Sequence, residues 1–85
     1  MAEAPELMAA IRAYISAPDW EAARAVVEAH STLLLSDAAE AAFHEMVHLN
    51  QLNPPAAEMC RVHLQVLQWC RREGIETAFR RAQQA

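Results

Sequence analysis

The sequence predicts an all-α domain, a compact bundle of four to five antiparallel helices arranged as helical hairpins. Three observations carry that prediction. Apolar residues recur at steps of three and four through most of the chain. No segment alternates with period two over a useful length, so no strand finds a partner. The strongest punctuation, Pro5, Pro18, Pro54 and the single glycine Gly74, falls where helical patterns begin or end. Connections of a few residues between helices favour antiparallel neighbours.

Residues 1–85 form a single domain, with 1–4 and 82–85 expected to fray. Pro5 and Glu6 suit a first helical turn, and Leu7, Met8, Ile11, Tyr14 and Ile15 form a stripe, so the first helix runs to about Ser16. Pro18 stops it and restarts the chain as the first residue of a second helix, with Asp19 and Glu21 in its opening turn. Trp20, Ala23, Val26 and Val27 give that helix a buried side, and it ends near His30 and Ser31. Thr32 to Leu35 reads as a loop plugging the core.

Ser36 or Asp37 caps the third helix, and Asp37 would place Glu40 at the capping-box spacing. Ala39, Phe43, Met46, Val47 and Asn50 line one face of it. Asn53 and Pro54 open the fourth and longest helix. Its apolar face is read as Met59, Cys60, His63, Val66, Leu67 and Cys70, widened by Val62 and Trp69 and opposed by Arg61, Gln65, Gln68 and Arg72. Gly74 ends it, and Ile75, Ala78 and Phe79 begin a short fifth helix to about Arg81.

The net charge of −4, with no lysine and every cation an arginine, lacks the basic stripe of a nucleic-acid binder. No apolar run approaches membrane-spanning length, and the acidic N-terminus is unlike a secretory signal. The expected location is cytoplasmic. Cys60 and Cys70 would lie about 15 Å apart on one helix, too far to bond, and read as buried reduced thiols. The modest supply of large core residues suggests help from a partner or a second copy.

One motif points to chemistry. His44-Glu45-Met46-Val47-His48 matches H-E-x-x-H, which in zinc hydrolases holds the metal through two histidines and activates water through the glutamate. Glu58 and His63 are the available third ligands. The helical wheel argues against a site. His44 and His48 lie roughly 110° and 150° from the centre of the face set by Phe43, Met46, Val47 and Asn50, at about 100° per residue. Turning them inward would expose Phe43 and Val47. The sequence is therefore read as carrying no catalytic residue, cofactor or metal site. His63, on an apolar face, reads as a core histidine satisfied by a hydrogen bond.

The segments Ala13 to Ala23 (Ala-Tyr-Ile-Ser-Ala-Pro-Asp-Trp-Glu-Ala-Ala), Val26 to His30 and Leu33 to Ala39, with His63, Val66-Leu67, Cys70-Arg71, Gly74-Ile75-Glu76 and Ala78-Phe79, cover about residues 11 to 80. In these pieces the chain resembles a bacterial helical repeat found in large proteins beside tetratricopeptide arrays and caspase-like CHAT protease domains. The resemblance implies a tetratricopeptide-like module for protein association, with His63 and Cys70 in framework positions and no catalytic residue to transfer. It leaves open an excised piece or a stand-alone relative.

The leading expectation is thus a non-enzymatic interaction module that binds a partner helix or another copy through an apolar groove. Tyr14, Trp20, Trp69 and Phe79 are its candidate anchors, or else core residues. The alternatives are a small zinc-dependent hydrolase using His44, Glu45 and His48 with His63, and a passive structural spacer.

Overall fold

The computed structural model describes residues 5–84 and folds them into six helices with no strand among them. These are α1 (Pro5–Ser16), α2 (Trp20–Ala29), α3 (Ser31–Leu34), α4 (Asp37–Leu49), α5 (Pro54–Glu73) and α6 (Ile75–Gln84). The expected frays at residues 1–4 and 85 lie outside the described residues. α6 continues helically to Gln84, past the Arg81 boundary read from the sequence.

The helix ends follow local chemistry. Asp19 is the N-cap of α2, and its carboxylate accepts the Ala22 amide at 2.8 Å. This corrects the assignment of Pro18 and Asp19 to the first turn: Pro18 precedes the cap and lends only its rigidity. Ser36 caps α4, its hydroxyl accepting the Ala39 amide at 3.2 Å and donating to the Leu33 carbonyl at 2.7 Å. Asn53 precedes α5 without a side-chain cap. Pro54 and Pro55 fill the first two positions of that helix and have no amide hydrogen to satisfy.

The stretch expected as a loop is a single helical turn, α3. The His30 carbonyl accepts from both the Leu33 and Leu34 amides, so the turn pairs its own backbone groups next to the core. Leu34 is fully buried, while Leu33 and Leu35 are half-buried.

α5 is the central element, with α4 against one side and α6 against another. α6 also packs on α2, and α1 packs on α2 and α3. Between them lie Tyr14, Phe43, Phe79, Ile11, Leu34, Leu67, Val27 and Val66, all fully buried. Each such side chain contributes about 1.5–3 kcal/mol by leaving water. The radius of gyration is 12.1 Å. No helix among the described residues is long and apolar enough to cross a membrane.

The buried face of α5 is Ala57, Cys60, Leu64, Val66, Leu67 and Cys70. It is rotated from the sequence reading. Leu64 enters the core, whereas Met59 and Val62 stay 40 % and 39 % exposed. On the opposite flank Arg71 donates to Glu40 at 2.7 Å and to Asp37 at 3.0 Å, and Gln68 donates to the second Glu40 oxygen at 2.8 Å. This polar clasp ties the start of α4 to the end of α5.

Gly74 separates α5 from α6 with φ 96° and ψ 157°, a region that residues with a Cβ avoid. Its amide still closes on the Cys70 carbonyl, and its carbonyl already accepts the Ala78 amide of α6. One residue thus ends one helix and starts the next. A Cβ at this position would meet nothing within 4 Å. Gly74→Ala is therefore expected to cost about 1–3 kcal/mol from backbone strain alone, read as a lower midpoint in urea with an unchanged slope.

Cys60 and Cys70 are buried free thiols. Burial raises both, and pushes Cys70 from 9.0 to about 11, a backbone hydrogen bond offsetting part of the effect. Burial also raises the Tyr14 phenol above its ordinary 10.0. In each case the folded chain holds a proton that the unfolded chain releases sooner. The stability from Cys70 is therefore complete below pH 9 and is lost as pH rises through about 11. Denaturation midpoints should fall across that window, and a thiol reagent at pH 8 should label neither cysteine before the chain unfolds.

Candidate functional site

Two of the four aromatic side chains singled out in the sequence are core. Tyr14 and Phe79 have no exposed surface. Tyr14 donates its hydroxyl to the His63 carbonyl at 2.8 Å and meets Phe43 edge-on, with ring centroids 6.1 Å apart. Phe79 meets Trp20 edge-on at 6.1 Å. Trp20 and Trp69, by contrast, are half-buried and stand at the surface where α2, α5 and α6 come together.

These two indoles, with Val62, Gln65, Val66 and Ala82, line an apolar groove of about 330 Å³. α5 supplies Val62, Gln65, Val66 and Trp69, whose spacing keeps them on one side of the helix. α2 contributes Trp20 at its first turn, and α6 contributes Ala82 near its end. The Arg81 guanidinium lies 4.6 Å from the Trp69 ring centroid, a cation–π contact. Both Glu73 carboxylate oxygens accept from it at 2.9 Å. One flank of Trp69 is thus fixed in place while the residue still lines the groove. Val62, Gln65, Val66 and Ala82 were not among the candidates from sequence. The sequence places both valines on the apolar face of this helix; Val66 is indeed fully buried there, while Val62, expected to widen that face, stays 39 % exposed.

A second cleft, of about 310 Å³, shares Trp20 and is lined also by Ala17, Pro18, Asp19, Ala23 and His63. The His63 Nδ1 lies 2.8 Å from the Met59 carbonyl, which can only accept, so Nδ1 carries a proton. The ring meets Tyr14 edge-on and Trp20 at a tilt, at centroid separations of 4.9 and 5.0 Å. His63 is therefore half-buried at the edge of the aromatic cluster, not at the centre of a core face.

His44, Glu45 and His48 are all exposed on α4, away from Phe43, which is fully buried. His63 is directed into the Tyr14–Trp20 cluster instead. Among the described residues, no group of three or more His, Cys, Asp or Glu side chains is placed to hold a metal ion. The motif is thus present on one exposed stretch of α4, and among the described residues no third ligand joins it.

Comparison with protein-family models, with curated proteins and with solved structures returns no match.

Because His48 is exposed, His48→Ala should change stability by less than about 0.5 kcal/mol. Elemental analysis of chelator-free protein should find zinc well below one atom per chain. Stoichiometric zinc that disappears in His48→Ala would revive the hydrolase reading.

Proposed function

We propose that this chain is a non-enzymatic interaction module of a bacterial, cytoplasmic protein, built from antiparallel helical hairpins in the tetratricopeptide manner. In this reading a helix from a partner, or from another copy, lies in the groove between Trp20, Trp69 and the outer side of α5. The observation that carries it is the groove itself: two half-buried indoles, the exposed Val62 and the Gln65 amide above buried Val66, at the surface of a chain of 85 residues.

The chemistry suits a helix. Apolar anchors on a docking helix recur at three and four residues, and the α5 wall presents Val62, Gln65 and Trp69 at matching intervals. Trp69 is held by Arg81 and Glu73, so little side-chain freedom is left to lose on binding. Gln65 offers one donor and one acceptor to fix orientation. The polar cleft at Glu40, Gln68, Arg71 and Arg72 is less suited to such a role, since Glu40, Gln68 and Arg71 already satisfy one another in the α4–α5 clasp and it has no aromatic anchor.

The test is selection of helical peptides of about 16 residues, four to five turns, from a displayed library against the whole chain. Binders are expected, and Val62→Arg should weaken them at least about tenfold while leaving the melting temperature unchanged. Trp69→Ala should weaken binding more than it weakens folding; equal loss would make Trp69 a core residue. Failure to select any binder, or binding indifferent to Val62→Arg, would overturn the reading.

A further inference from the structure

We propose that the occupant of the groove is a second copy of this chain, paired antiparallel through α5 about a twofold axis at Gln65. The inference rests on the interaction-module reading and names its partner. Glu58, Val62, Gln65, Trp69 and Arg72 follow one another at steps of four, three, four and three. That is the spacing of a helix–helix seam, and it runs up the outer side of α5 for about four turns, roughly 21 Å.

The seam is palindromic in chemistry. An acid stands at one end, a base at the other, an apolar residue inside each, and an amide in the middle. An antiparallel copy therefore sets Glu58 against the other copy's Arg72 at both ends of the contact. Val62 of each copy comes level with Trp69 of the other, within about one residue. The two Gln65 amides face each other, each able to donate and accept. A parallel copy would instead oppose Glu58 to Glu58 and Arg72 to Arg72, so charge selects the isologous, closed arrangement.

The end groups are available for this exchange. Arg72 is exposed and pairs with no acid among the described residues. Glu58 is held only by Arg61, a pair whose side chains are 65 % and 54 % exposed and which gives up its contact at little cost. Trp20 and Ala82 form the far wall of the groove and leave Val62 open.

Sedimentation of the full chain over a concentration series tests the pairing, using the wild type, Glu58→Arg and Arg72→Glu. Both substitutions are at exposed positions, and unchanged circular dichroism melts would establish that each variant folds. The wild type is expected to dimerise. Each variant alone should dimerise about tenfold more weakly, because both ends then carry like charges. An equimolar mixture of the two variants should recover the wild-type affinity to within about threefold, because the mixed pair has opposite charges at both ends. A chain that stays monomeric up to about 1 mM, a dimer indifferent to the reversals, or a mixture that does not recover would overturn the proposal. The selected helical peptides separate the two readings. If they bind a monomeric chain at Val62, self-pairing falls and the groove reading stands; if neither occurs, both fall.

Discussion

Tyr14 carries the only hydroxyl at the centre of this small core, and its placement constrains most of what surrounds it. The ring leaves α1, lies fully buried, and ends on the His63 carbonyl of α5. A buried phenol without a partner would cost about 1–3 kcal/mol, so the bond fixes the height of α1 against α5. Phe43 of α4 then meets the same ring edge-on, and His63 closes its other side. His63 in turn carries Trp20, and Trp20 carries Phe79 of α6. Four helices are thus set against α5 by one connected series of ring contacts that starts from one hydrogen bond.

The positions of the helices were legible in the sequence because their ends are marked by groups with few alternatives. Pro5, Pro54 and Gly74 each stand where an orphan amide or a positive φ has to be accommodated, and the periodicity between them fills in the rest. α3 was not legible, since a single turn has no periodicity to detect and its leucines suit a loop equally well. The α2 start was misplaced by two residues because proline and aspartate compete for the same boundary. The aspartate carboxylate, able to accept an amide, takes the cap.

The rotation of α5 shows what limits a single wheel. This helix has apolar residues around most of its circumference, so its stripe has no unique centre. The centre is set by which neighbours arrive: α4 packs on α5, and the Glu40–Gln68–Arg71 clasp holds it there. Leu64 is drawn in between polar neighbours, and Met59 and Val62 are turned out. That same rotation is why Trp20 and Trp69 could be named from sequence while the groove they flank could not. From sequence Val62 only widens the apolar face, and its exposure depends on how the helix is turned. Tyr14 and Phe79 look the same as the tryptophans in a sequence, and only the packing separates a ring inside the bundle from one at its edge.

The exposed side of α5 follows from a mismatch of lengths. α5 has 20 residues, whereas α6, which returns along it, has 10 and α4 has 13. Two shorter helices cover the inner faces of a longer one and leave a strip between them uncovered. Alanine-rich α1 and α2 supply little bulk to widen that cover, and α2 reaches the strip only with Trp20. Polar residues at the exposed positions of that strip would cost the fold little. The strip instead carries Val62 and Trp69 between Glu58 and Arg72, with Arg81 and Glu73 holding the indole in place. Of those four seam residues only Trp69 also packs against the core; Glu58, Val62 and Arg72 are exposed. In the proposed pairing their order would give one helix both halves of an interface, with an antiparallel neighbour of the same sequence matching it at both ends.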